Sequence, residues 1–344
     1  MNNYYIQQVF DVIKKSRKIA ISGHIDADLD SIGSTLAMYE ICLQIANKHN
    51  KEITVLPIAW EKSEILDSNL PHVDKVMVLN QENIEQNSII NNIDLMILVD
   101  IGTFQRAPIT KLLNINRQIL TIVIDHHIDS CINHLKDINL MINYVSRSTT
   151  KIIYKEFLES KNNILKCTRS LAHNILAGIC GDTDFLSDTN ITSNDFKIVA
   201  KLLDLGANFD DLIIKFKRSV SLKKIKAKSI GILDIKIQDK YAYCALCYEK
   251  ILEIELLTGY KLEKHDIVNE MRCIENIDFG IVILEKNKNF LTASLRSRTN
   301  DVDVEKIAKH FGGGGHKTSA AFRFETKNFI KSVEEIINFC NSYR

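Results

Sequence analysis

Carboxylates and imidazoles gather in four short segments of this chain. Gly23-His24-Ile25-Asp26-Ala27-Asp28-Leu29-Asp30-Ser31 places His24, Asp26, Asp28 and Asp30 at every second residue. An extended backbone there points all four to one side. Asp100 follows the apolar run Leu95-Met96-Ile97-Leu98-Val99, and Asp125-His126-His127 follows Leu120-Thr121-Ile122-Val123-Ile124. Gly181-Asp182-Thr183-Asp184 follows a fourth apolar run, from Ile175 to Cys180. Carboxylates packed together beside a buried segment repel unless a cation sits among them. A helix cap at Asp30 or Ser31 needs one such residue, not four. Oxygen and imidazole donors without nearby thiolates favour Mn²⁺ or Mg²⁺, and the number of donors suits two ions. Two ions about 3.5–4 Å apart share a carboxylate, activate water and clamp the oxygens of an in-line phosphoryl displacement.

The elements around these segments predict how they meet. Short Ile/Val/Leu runs at 18–22, 53–60, 75–79, 94–99 and 119–124 read as buried strands. Apolar residues at helical spacing predict helices at 31–49, 148–160, 168–180 and 193–205. Strands alternating with helices predict an α/β fold with a mainly parallel sheet flanked by helices. In such a sheet the C-terminal strand ends share one edge, which is where ligands bind. The texture changes after a basic helical stretch at 209–233, which carries Lys215, Lys217, Arg218, Lys223, Lys224, Lys226 and Lys228. Strands at 235–237, 242–248, 279–285 and 290–296 and helices at 302–311 and 328–341 then predict a smaller α+β domain. The expected division is 1–208, a connecting segment at 209–233, and 234–344.

Composition narrows the function classes. The 344 residues carry 44 Lys+Arg against 43 Asp+Glu, a net charge of +1. That balance opposes a protein that grips long nucleic acid on a broad basic face. No apolar run reaches the roughly 20 residues of a membrane span. Residues 1–18 read as an amphipathic helix rather than a signal peptide. The 8 cysteines are scattered, as expected in a reducing cytoplasm. Nine of the 13 glycines, including the run Gly312 to Gly315, sit beside the segments singled out here. Backbone amides in such a run approach an anion closely. Arg296 and Arg298 lie two apart on an expected strand, and an arginine fork suits phosphate. Arg106 could reach a phosphate or stand in a surface ion pair. The single CxxC of Cys244 and Cys247 lacks further ligands at zinc spacing and reads as core.

Gly23 to Ser34, Val99-Asp100, Asp125-His126-His127 and Gly181-Asp182-Thr183 resemble the four motifs of the DHH phosphoesterase superfamily. Gly312 to His316, preceded by Ser294-Leu295-Arg296-Ser297, resembles its companion DHHA1 domain. The likeness runs nearly the whole length, in order. It implies a DHH domain, a DHHA1 domain and an active site in the cleft between them. It further implies that His24, Asp28 and Asp100 hold one Mn²⁺, while Asp30, Asp100, His126 and Asp182 hold the other, with Asp100 bridging. Mg²⁺ or Co²⁺ are implied substitutes. By the same resemblance Asp125 orients its neighbouring histidine, His127 faces the phosphate or leaving group, and Asp26 stands behind the ligands. Arg296, Arg298, Gly313, Gly314, Gly315 and His316 would bind substrate. One departure stands out: relatives usually have threonine before the last aspartate and glycine after Asp-Thr, where this chain has Gly181 and Asp184.

The resemblance is nearest to the stand-alone NrnA-like members, which degrade short oligoribonucleotides, pApA and in some cases cyclic di-AMP. The expected function is therefore an Mn²⁺-dependent phosphodiesterase of short nucleotides in the cytoplasm, acting neither on long nucleic acid nor at a membrane. A phosphatase acting on 3′-phosphoadenosine 5′-phosphate (pAp) and a nucleotide-binding sensor without turnover are the alternatives. A monomer and a homodimer are both compatible with the sequence. The glycine run argues against a family II pyrophosphatase, which carries a different second domain.

Overall fold

The computed structural model describes residues 3–79, 88–90, 92–111, 119–127, 139–159, 165–299 and 301–343. The chain divides into two compact units, Met1–Arg218 and Ser219–Arg344.

The first unit is built on strands β1 (Lys18–Ser22), β2 (Thr54–Ala59), β3 (Met77–Val78), β4 (Leu95–Val99), β5 (Leu120–Asp125) and β6 (Leu140–Asn143). Their order is β3-β2-β1-β4-β5-β6 and every pairing is parallel. Successive strands fill the sheet outward from β1 in opposite directions, so the switch point lies between β1 and β4. There the two exit loops diverge and leave a crevice. β4 is fully buried, as expected of a strand covered on both faces.

Helices α1 (Asn3–Lys15), α2 (Leu29–Lys48), α3 (Thr149–Ile153), α4 (Arg169–Asp182), α5 (Ser193–Asp204) and α6 (Phe209–Lys217) complete this unit. α2 and α4 pack on one another, where Leu36, Ile41, Ile175 and Ile179 join one apolar core. The helix expected over 148–160 is only five residues of α-helix. A π-helical turn, Tyr154–Glu159, continues it.

The basic stretch at 209–233 is two helices, not one. α6 ends at Lys217, and α7 (Leu222–Leu233) starts afresh with Ser221 as its cap, accepting from the Lys224 N–H. The two helices fall in different units.

The second unit holds β7 (Lys236–Gln238), β8 (Tyr241–Leu246), α8 (Tyr248–Thr258), α9 (Lys264–Met271), β9 (Phe279–Asn287), β10 (Phe290–Ser297), α10 (Val304–His310), β11 (Gly314–His316), β12 (Ser319–Glu325) and α11 (Phe329–Ser342). Its sheet runs β11-β12-β10-β9-β8-β7, antiparallel except for the β8–β9 pair. Cys244 is buried in its core, as expected of the lone CxxC, but Cys247 is half-buried and takes the N-cap position of α8 instead of lying in the strand. No described helix is long and apolar enough to cross a membrane.

Candidate metal centre

β1 stops at Ser22, and the segment that follows is a loop rather than an extended strand. His24 sits in the loop, Asp28 is the N-cap of α2, and Asp30 is already in its first turn. Asp28 accepts the Asp30 and Ser31 N–H groups at 3.0 Å each. The every-second-residue alignment therefore fails. Asp26 is exposed and stands outside the donor clusters, while His24 is 3% exposed and Asp30 fully buried.

β4 delivers Asp100 at its C-terminal end, with φ of 51° and its N–H on the Ile124 carbonyl at 3.0 Å. The neighbouring β5 ends in Asp125 and hands over His126 and His127. Asp182 is the last residue of α4, the helix expected over 168–180, so the fourth acidic segment ends that helix.

Three groups of donors lie close enough to hold a cation among them: His24, Asp28 and Asp100; Asp30, His126 and Asp182; and Asp100, His126 and His127. His24 Nε2 is 3.6 Å from both Asp28 Oδ2 and Asp100 Oδ2. His126 Nε2 is 3.4 Å from Asp100 Oδ1 and 3.2 Å from Asp182 Oδ2. The two oxygens of Asp100 thus face two different sets of donors.

The electrostatics favour a cation. Burial, with the Asp100 charge added, pushes the Asp30 carboxyl up to about 7. Burial and the charges of Asp30 and Asp28 raise Asp182 as well. Burial opposes charging His126, yet its hydrogen bond to Asp100 and the carboxylates around it push it up to about 11. Asp182 Oδ2 is buried and accepts no hydrogen bond among the described residues. The cluster retains protons where divalent ions would take their place, so the donor set fits such ions.

The partners of Asp30 were not foreseen. Its carboxylate accepts the N–H groups of Thr149 at 2.6 Å and Thr150 at 3.0 Å, and the Thr150 hydroxyl at 2.6 Å. The N-terminus of α3 thus holds the carboxylate. The only hint in the sequence is the run Ser148-Thr149-Thr150 opening an expected helix. α4 comes close here: a methyl on Gly178 would stand 2.4 Å from Thr150 and 2.6 Å from Asp30 Oδ1.

Asp125 is fully buried. Its carboxylate accepts from the Gly102 N–H at 2.8 Å and binds His127 Nδ1 at 2.6 Å, which lowers its pKa against the effect of burial. Beyond Asp182 the chain turns left-handed for three residues, Asp184, Phe185 and Leu186, with φ of 46°, 59° and 65°. Glycine adopts that backbone freely. Asp184 adopts it here and pairs its carboxylate with Lys217. Cys180 is buried, with its thiol pushed up to about 12 by desolvation, so it is poorly nucleophilic.

In the second unit, strand register links the remaining candidates. Arg296 on β10 pairs with Ser319 on β12, which pairs with His316 on β11. Arg298 lies past the end of β10 and is exposed. Burial and the neighbouring Arg272 lower Arg296 to about 10. A Cβ at Gly313 would meet the Ala321 carbonyl at 2.2 Å, and one at Gly315 the Ser319 carbonyl at 2.4 Å. Packing on β12 therefore explains those two glycines. At Gly314, which pairs with Ala321 on β12, a Cβ would meet nothing within 4 Å.

Residues 18–179 match the N-terminal domain model of the DHH family, and residues 263–342 match the DHHA1 domain. The chain belongs to the DHH–DHHA1 family. Its relatives include the membrane protein–large ribosomal subunit bL9 fusion protein of Aster yellows witches'-broom phytoplasma, 27% identical over 96% of this chain. The match spans only 37% of that protein's length. The bifunctional oligoribonuclease and PAP phosphatase NrnA of Mycoplasma genitalium is 24% identical over 97% of this chain and 96% of its own. Among solved structures, an exopolyphosphatase-related protein from Bacteroides fragilis shares the fold, with a TM-score of 0.80, 19% identity, and coverage of 98% and 96% of the two chains.

Proposed function

We propose that this DHH–DHHA1 chain is a hydrolase of phosphoric esters that cleaves short nucleotides, pApA and nanoRNA among them, to mononucleotides with Mn²⁺ as its working ion. The observation that carries this reading is Asp100, whose Oδ2 faces His24 while its Oδ1 faces His126. His24, Asp28 and Asp100 would hold one ion, and Asp30, Asp100, His126 and Asp182 the second. When bound, such a pair lowers the pKa of water and neutralises charge on phosphoryl oxygens. The protein's own part is positional. Asp125 fixes the His127 ring through Nδ1, so that Nε2 can hand a proton to the departing oxygen. The α3 N-terminus holds Asp30 in place. Arg296, Gly314 and His316 would grip a substrate phosphate.

The name of the Mycoplasma genitalium relative supports both oligoribonucleotide cleavage and the runner-up, pAp dephosphorylation. A complete donor set speaks against a sensor without turnover.

Product analysis with Mn²⁺ at neutral pH tests the reading, offering pApA, a short RNA, cyclic di-AMP and pAp in parallel. AMP from pApA or RNA is the expected result, and the cyclic lane sets the range of substrates. AMP from pAp alone would replace the diesterase with a monoesterase. No product in any lane would favour the sensor.

A further inference from the structure

Three imidazoles line the centre, and their second ring nitrogens meet different partners. His126 Nδ1 faces the Ser146 carbonyl at 3.3 Å, and His127 Nδ1 faces Asp125 Oδ1 at 2.6 Å. Both partners are acceptors, so each ring keeps a proton on Nδ1 and turns Nε2 toward the centre. His24 is different. Its Nε2 points to Asp28 and Asp100, while its Nδ1 lies 3.1 Å from Nη2 of Arg106.

A guanidinium only donates hydrogen bonds. The Arg106 contact therefore needs a bare Nδ1, which puts the ring proton on Nε2. A cation needs the reverse, since it takes Nε2 and leaves the proton on Nδ1. Two donors would then face each other across 3.1 Å. Contact with Arg106 and ligation of a cation by His24 exclude one another.

The surroundings say where the guanidinium goes. The Ile25 N–H donates to the Arg106 carbonyl at 2.8 Å, pinning the backbone of Arg106 beside the His24 loop. A Cβ on Gly102 would stand 3.5 Å from the His127 ring and 3.7 Å from Arg106 Nη1. The guanidinium thus sits between His24 and His127, over a residue that has no side chain. No ion pair to a carboxylate holds it among the described residues.

We propose that Arg106 is a phosphate ligand released by metal binding: it caps His24 in the metal-free protein and turns to an anionic substrate oxygen once a cation occupies Nε2. The proposal deepens the phosphoester reading and rests on it. An arginine beside two ions adds a directional, two-pronged contact to a phosphoryl group.

Calorimetry on the full chain tests it, using wild type, Arg106→Met and Arg106→Lys. Mn²⁺ is titrated first, and inorganic phosphate is then titrated into the metal-loaded protein. Arg106→Met should bind Mn²⁺ at least about threefold more tightly, because no donor has to be displaced. It should bind phosphate at least about tenfold more weakly, and Arg106→Lys should recover part of that loss. Weakened Mn²⁺ binding in Arg106→Met would make the arginine a support for His24 and overturn the proposal. Unchanged phosphate affinity would overturn it too. Neither measurement needs turnover, so failure here is distinct from a wild type that hydrolyses no nucleotide.

Discussion

Thr150 donates twice to one oxygen of Asp30, its N–H at 3.0 Å and its hydroxyl at 2.6 Å. The two residues are 120 positions apart, and both are fully buried. A carboxylate proposed to hold an ion is thereby oriented before any ion arrives. Partners of this kind typically set metal affinity within a factor of about 10 to 100. Thr150→Val keeps the shape and removes the hydroxyl. It should weaken binding of the more loosely held Mn²⁺ about tenfold and cost about 1 kcal/mol of stability. Calorimetric titration and urea unfolding measure the two effects, and unchanged metal affinity would remove Thr150 from the centre.

Asp100→Asn should cut hydrolysis by about a hundredfold or more and lower the bound metal, since a neutral amide bridges two cations poorly. Asparagine tolerates a positive φ, so the fold should survive. Metal analysis beside an activity assay decides the matter; full activity with two ions retained would end the bridging assignment.

Much of the first unit is legible in its sequence because strand ends and candidate ligands coincide there. Val99-Asp100 and Ile124-Asp125 each join a buried apolar run to a polar residue at the strand exit, and the parallel sheet brings those exits together. Asp30 shows the limit. Its helix is readable, but that α3 would present its N-terminus to Asp30 depends on tertiary packing through Gly178. β6 was missed because Leu140–Asn143 is too short to show a period. β12 was missed because Ala320 and Ala321 carry little apolar signal beside the glycine run. α8 exposes Leu252, Leu256 and Leu257, so its helical stripe does not stand out.

The metal-free protein should lose stability as pH rises. Asp30, raised to about 7, holds a proton in the folded state that the unfolded chain gives up near ~3.9. That stabilisation is complete below about pH 4 and fades as pH climbs through about 7. His126, raised to about 11, adds stability that is complete below about pH 6.5 and fades above it. Mn²⁺ replaces those protons, so the rise in Tm on adding Mn²⁺ should be larger at pH 8 than at pH 6. Thermal melts with and without metal check this; an equal rise at both values would contradict it.

His127→Ala should keep the bound metal and slow turnover by about 10²- to 10⁴-fold, the usual range for a lost general acid or base. Loss of metal instead would mean that the two histidines after Asp125 have exchanged roles.

Arg296→Ala should act on binding. The expected change is a KM for phosphorylated dinucleotides raised about tenfold or more, with kcat nearly unchanged. A generic small phosphodiester serves as control. An equal loss on that control would show that Arg296 is not a clamp for nucleotide phosphate.

The backbone of Asp100 has a consequence for how this chain can change over time. At φ of 51° with its N–H fixed to Ile124, the position accepts glycine, asparagine and aspartate far more readily than other residues. Glutamate would keep the charge but strain the strand exit, and alanine would lose the charge and strain it as well. Asparagine and glycine would keep that backbone while removing the proposed bridge, and each is one nucleotide change from an aspartate codon. A descendant that abandoned hydrolysis but kept the fold for binding should therefore carry Asn or Gly here.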